Sequence, residues 1–226
     1  MTLSNSINFD LTAREIIEYA LEKINILAKS QPLSVEHSDA ATRELNVMLK
    51  EWMAYPAIWR IKEGFVNLVA ATGSYSLTPR PYRVIDVRLR QSSGIDIPMQ
   101  ELTKQEYYDL PQKDTAGIPT QWYFDPQQAT SSIFVWPVKA TVTTETLRVT
   151  YQRAVDDIDD LGNTIDCTQE WLGTLGYCLA ARCADDYGRS GPHIDRIIAR
   201  AQALFERMAD ADRPEVIRFV PERRYG

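Results

Sequence analysis

Ile85-Asp86-Val87-Arg88-Leu89-Arg90 alternates apolar and charged side chains at every step, the period of a half-buried β-strand. Leu147, Val149 and Tyr151 repeat the pattern against Arg148, Thr150 and Gln152. Around these two runs, turn formers at Gly73, Ser92-Ser93-Gly94, Gly117-Ile118-Pro119 and Asp125-Pro126 mark off further strands expected at 75–77, 120–124 and 133–136. Thr103 with Glu106 reads as a capping box that starts a short helix, stopped by Pro111. The stretch 64–157 is therefore expected to be an antiparallel β unit.

On both sides of it the apolar period lengthens to that of a helix. Thr12 and Glu15 form a first capping box, followed by Ile16, Ile17, Ala20, Leu21, Ile24, Leu27 and Ala28, which predicts a helix over 12–29. Gln31-Pro32 breaks it. A second stripe at Ala41, Leu45, Met48, Leu49, Trp52 and Met53 ends near Tyr55-Pro56. Beyond the acidic turn Asp156 to Asp160, Trp171, Leu172, Leu175, Leu179 and Cys183 predict a third long helix with Gly188 just past its end. Pro192 opens a fourth, striped by Ile194, Ile197, Ile198, Ala201, Leu204, Phe205 and Met208. Short links make each pair a helical hairpin. The expected fold class is α+β: a discontinuous helical bundle of two hairpins, 1–63 and 158–212, with the β unit inserted. An extended C-terminal arm, 213–226, follows, held open by Pro214 and Pro221.

Composition narrows the function. The 226 residues are 44% apolar and 25% charged, which excludes collagen-like, low-complexity and disordered chains. A net charge of −6 argues against a protein whose main work is gripping nucleic acid through phosphates. Arg outnumbers Lys 18 to 7, and Arg is the cation suited to protein interfaces, so a protein partner is expected. Three cysteines cannot make a full disulfide set, which points to a reduced, intracellular chain. The first ten residues lack the pattern of a signal peptide, and the longest apolar run, Phe65 to Ala71, is broken by Asn67, so membrane insertion is not expected.

The sequence holds neither a glycine-rich loop leading into Lys-Ser/Thr nor a G-x-G-x-x-G motif. His37 and His193 are isolated, without the spacing of a zinc site or a local triad. An EF-type loop started at Asp157 places Asp159 and Gly162 correctly, yet Leu161 falls where an oxygen ligand is needed and Thr168 where a bidentate Glu belongs. Cys178 and Cys183 read as small core residues. Trp52, Trp122, Trp136 and Trp171 read as core, while Trp59 lies past the Pro56 break. No cofactor, metal or catalytic residue is expected. A cell-wall glycan hydrolase with a carboxylate pair stays open as the alternative, because such pairs are defined in space. A DNA-binding regulator is disfavoured, since the last helix sets Arg196, Arg200 and Arg207 against Asp195, Glu206 and Asp210.

The order of several short motifs carries a resemblance. Leu45-Asn46-Val47-Met48-Leu49-Lys50-Glu51-Trp52 is similar to the Leu-Asn-x-Met-Leu-x-x-Trp signature of the tail-accessory, packaged-DNA-stabilising, head-completion adaptors of tailed bacteriophages. Gly73-Ser74-Tyr75, Ile97-Pro98 followed by Tyr107 and Gly117-Ile118-Pro119, Tyr123 to Pro126, Val135-Trp136-Pro137 and Val149 to Gln152 continue the match. It extends through Leu179 to Arg182 and Tyr187-Gly188, and covers about residues 10 to 212. One departure is Cys167-Thr168, where such proteins usually start the helix with proline.

The resemblance implies a structural virion protein made in the host cytoplasm and placed at the head-tail junction. It would form a homo-oligomeric ring, dodecameric by analogy, that connects the portal protein to the tail. The ring would close the DNA channel after packaging and offer a docking site to the tail nozzle protein. DNA would pass through without sequence-specific binding, and no enzymatic activity is implied. Under this resemblance the arm, opening at Arg213, becomes the portal-gripping element, with Val216, Ile217, Phe219 and Tyr225 as apolar anchors and Arg218, Arg223 and Arg224 as partners for carboxylates.

Overall fold

The structure, a computed structural model, describes residues 6–29, 31–55, 60–128, 130–141 and 144–211. Two helices come first, α1 (Ala13–Lys23) and α2 (Val35–Trp52). Five strands follow: β1 (Ile61–Asn67), β2 (Ser74–Leu77), β3 (Pro81–Arg90), β4 (Asp96–Pro98) and β5 (Gln100–Glu101). After α3 (Lys104–Asp109) come β6 (Ala116–Gly117), β7 (Gln121–Pro126), β8 (Ser131–Trp136), β9 (Val138–Lys139) and β10 (Thr146–Arg153). The helices α4 (Gln169–Asp186) and α5 (Pro192–Ala211) close the described chain. The α+β class read from the two periods is the one observed. By contacts the chain splits into two compact units, Met1–Trp59 with Asp156–Gly226, and Arg60–Val155.

In the helical unit the first capping box is complete, with Thr12 and Glu15 satisfying each other's backbone N–H. Its apolar stripe, Ile16, Ile17, Ala20 and Leu21, is fully buried. The helix nevertheless stops at Lys23, short of the expected residue 29, because Asn25 adopts a left-handed φ of 57°. Asparagine tolerates that conformation and commonly ends helices so. Leu27 stays buried in the turns beyond. Against α1 lies α4, at Gly176, where a Cβ would stand 2.5 Å from the Tyr19 ring, so only glycine admits this approach. Gly188, φ 59°, ends α4 as its position suggested, and Pro192 opens α5.

The β unit holds two four-stranded sheets, β1-β10-β3-β4 and β2-β8-β7-β5, with β6 and β9 as a separate pair. Their shared core includes Val84, Val87, Leu89, Trp122, Ile133 and Leu147. The first strand already starts at Ile61, upstream of the expected change at Gly64. The unit is not wholly antiparallel, since β5 runs parallel to β7 and β6 to β9. A sharper difference concerns the opening motif of the sequence. Thr150 pairs with Asp86 and the next residue, Tyr151, with Val84, leaving Ile85 as the extra residue of a β-bulge. Val87 and Leu89 point inward as expected, but Ile85 is 42% exposed and Val84, 4% exposed, takes its place in the core.

Candidate assembly surfaces

The eight arm residues singled out in the sequence, Arg213, Val216, Ile217, Arg218, Phe219, Arg223, Arg224 and Tyr225, lie outside the described residues. Trp59 also lies outside them, while the two histidines singled out in the sequence bond within the fold. His193 Nε2 lies 2.8 Å from the Lys23 carbonyl oxygen and ties the start of α5 to the end of α1. His37 Nδ1 bonds the Tyr187 hydroxyl at 2.8 Å. Burial pushes the thiols of Cys167, Cys178 and Cys183 up to about 12, so thiolate is scarce near neutral pH. Among the described residues, no group of three or more His, Cys, Asp or Glu is placed to hold a metal ion. No described helix is long and apolar enough to cross a membrane.

The signature on α2 has a plain architectural basis. Leu45, Met48 and Leu49 are buried, and Trp52 packs on Trp171 of α4 and Phe205 of α5, with ring centroids 5.4 and 5.0 Å away. Asn46 faces the returning chain. Its Nδ2 donates to the Ile158 carbonyl at 3.0 Å, and its Oδ1 accepts from the Ile158 N–H at 2.9 Å. Lys50 pairs with Asp157 on the same segment. Asn46 and Lys50 therefore fasten the point where the chain re-enters the helical unit. Thr168, at the departure from the family pattern, stands as the N-cap of α4 without a capping bond from its hydroxyl.

Charge is distributed in three patterns. On the outer face of the β1-β10-β3-β4 sheet, Arg88 reaches Glu63, Asp86 and Asp96, and Arg90 makes a forked bond to Asp96. That bond holds the Asp96 carboxyl below its usual range. On the helical unit, Arg182 pairs with Glu51 and Glu44. Here α1, α4 and α5 also bring together Tyr19, Lys23, Tyr177 and Arg200. Lys23 Nζ lies 4.7 Å from the Tyr19 ring centroid and 5.5 Å from that of Tyr177, and Arg200 Cζ lies 4.9 Å from Tyr177. Sequence reasoning missed this group. The i, i+4 spacing of Tyr19 and Lys23 was readable, but Tyr177 and Arg200 join them only through the fold.

At the other end of α1 stands the acidic turn, with Asp156, Asp157, Asp159 and Asp160 exposed. Asn163 Oδ1 accepts the N–H groups of Asp159 and Asp160, at 3.2 and 2.9 Å, and Asp160 Oδ1 accepts that of Gly162. The turn is pinned to the helix by Ala13 N–H to Asn163 O, 2.9 Å, and Arg14 N–H to Leu161 O, 3.0 Å. Within the loop the Asp160 carboxylate accepts a backbone N–H, while that of Asp157 turns to Lys50.

Comparison with known proteins gives one family and several distant structures. Residues 11–224 match the family described as SU10 adaptor protein. No curated protein matches the chain. A chain from the neck of an empty GTA particle computed with C6 symmetry is 13% identical, with 95% of this chain and 98% of that one covered and a TM-score of 0.30. A chain from the virion of a native gene transfer agent (GTA) particle is 13% identical over 89% and 91%, with a TM-score of 0.29. A third, from the neck of a native GTA particle computed with C12 symmetry, is 14% identical over 84% and 93%, with a TM-score of 0.27. At TM-scores this low the structural likenesses carry no argument.

Proposed function

The chain belongs to the SU10 adaptor family, and from that premise we propose that it is a structural virion protein of the head-tail junction. In this reading it forms a ring of about twelve copies beneath the portal, of the closed cyclic kind. The ring closes the channel once DNA is packaged and presents a docking surface to the tail nozzle. DNA passes through without sequence-specific contact, which suits a chain of net charge −6. The chain performs no catalysis, is made in the host cytoplasm and resides in the virion.

The observation that carries the proposal is the extent of the family match, which begins before α1 and runs through the arm to residue 224. The arm, 213–226, is proposed as the portal-binding segment, and the helical unit as the part that meets neighbouring copies. Native mass measurement of the protein alone and after mixing with the portal ring of the same virus tests the reading. A ring of adaptor copies on the portal is the expected result; a chain that stays monomeric and unbound in the presence of portal removes it.

A further inference from the structure

Resting on the ring reading, we propose that the surface made by Tyr19, Lys23, Tyr177 and Arg200 in one copy receives the acidic turn Asp156 to Asp160 of the next copy around the ring.

Two cations converge here on two tyrosines whose rings meet edge to face, with centroids 6.0 Å apart. Arg200 is exposed and Lys23 half-buried, so both cations rest on ring faces that solvent still reaches, and each has more N–H donors than a ring face can take up. Among the described residues neither pairs with a carboxylate, although the protein as a whole is acidic. Tyrosine beside cation is the composition of an interface anchor, because the ring offers apolar area at low entropy cost and the cation selects a charged partner.

The same unit carries a counterpart of opposite sign. Four aspartates crowd the turn at 156–160, and of these Asp157 pairs with Lys50. The hydrogen bonds that Asn163 Oδ1 and Asp160 Oδ1 accept from the loop's backbone N–H groups fix the turn before any partner arrives, which lowers the ordering cost of docking. Position supplies the remaining argument. The turn is fastened to the first turn of α1, and Lys23 is that helix's last residue, so the two surfaces are separated by about 16 Å at 1.5 Å per residue. The four aspartates of the turn outnumber Lys50 and Arg43 beside them, and the receiving surface brings two cations, so each keeps a net sign that disfavours a two-fold dimer of like surfaces. Opposite signs at opposite ends of one helix instead fit a head-to-tail contact that repeats from copy to copy and closes into a ring. This counterpart favours a second copy over DNA as the occupant.

The test uses the full chain on its portal, read by native mass and sedimentation. Reversing the receiving surface, Lys23→Glu with Arg200→Glu, should weaken copy-to-copy association about tenfold or more. Asp156→Lys with Asp159→Lys, which reverses the turn, should do the same. A chain with all four substitutions should regain the ring, because the reversed surfaces match again. Thermal unfolding like that of the wild type establishes that each variant is folded, and wild-type association should weaken as salt rises. Rings that survive either paired reversal, failure of the four-fold variant to restore them with the fold intact, or salt-insensitive association each overturn the inference alone. Intact rings that lose DNA upon Lys23→Glu with Arg200→Glu also overturn it, by making the surface a phosphate site. Wild-type protein that binds the portal only as isolated copies overturns this inference and the ring reading together.

Discussion

Asn46 makes both of its bonds to the backbone of one residue, Ile158, so its removal leaves a part-buried N–H and a C=O without their protein partner. Asn46→Ala should cost about 1–3 kcal/mol, since an unsatisfied buried group forfeits its solvation as well as its bond. At this chain length each kcal/mol lowers the melting temperature by about 2–4 °C, a shift that calorimetry resolves. An unchanged melting temperature would show that water replaces the side chain at no cost. The identity of Asn46 was visible in the sequence signature, whereas its partner, far along the chain, was not. The same limit hid the Tyr177 and Arg200 half of the cation-tyrosine surface: pairs within one helix follow from spacing, but pairs between helices need the packing.

Elements were legible where one period governs them, and less so where a local irregularity intervenes. The strands at 75–77, 120–124 and 133–136 were found because alternation and turn residues agree. The inward side of β3 was misplaced at one position because a bulge shifts the phase of alternation, and both Val84 and Ile85 fit an apolar position. This gives a direct check. Val84→Thr should destabilise by about 1–3 kcal/mol and Ile85→Thr by about 0.5 kcal/mol or less, measured by denaturant unfolding; equal effects would argue against the bulge. The end of α1 was overrun because Leu27 keeps the apolar stripe going, although Asn25 has already turned the backbone. At its start, the Thr12 N–H and hydroxyl hold the Glu15 carboxyl below its usual 4.5, and Thr103 does the same for Glu106. A depressed carboxyl contributes stability that is present above 4.5 and fades as pH falls through the lower folded value. Glu15→Gln should therefore flatten the acid limb of the melting temperature against pH, and an unaltered limb would exclude the box as its source.

At the scale of the molecule, the expected α+β class emerged from the succession of periods, while the arm's role depends on a partner. Ordering some 14 residues costs on the order of 14–28 kcal/mol in backbone entropy at about 1–2 kcal/mol each. Rim ion pairs worth at most about 1 kcal/mol cannot offset that, so the proposed attachment of the arm to the portal requires Val216, Ile217, Phe219 and Tyr225 to be buried there. Deleting residues 213–226 should leave thermal unfolding nearly unchanged and abolish portal attachment in the native-mass assay; full attachment by the shortened chain would remove the arm from the mechanism. The discontinuous helical unit has a mechanical consequence. Both ends of the chain belong to it, while Arg60–Val155 is inserted between its halves. A load applied at the two ends runs through the helices and bypasses the insertion for as long as α1, α2, α4 and α5 hold together. Stretched between optical traps, the molecule should yield in two steps, helices first and sheets second; sheets that rupture first would mean that tension reaches the insertion while its host is still closed.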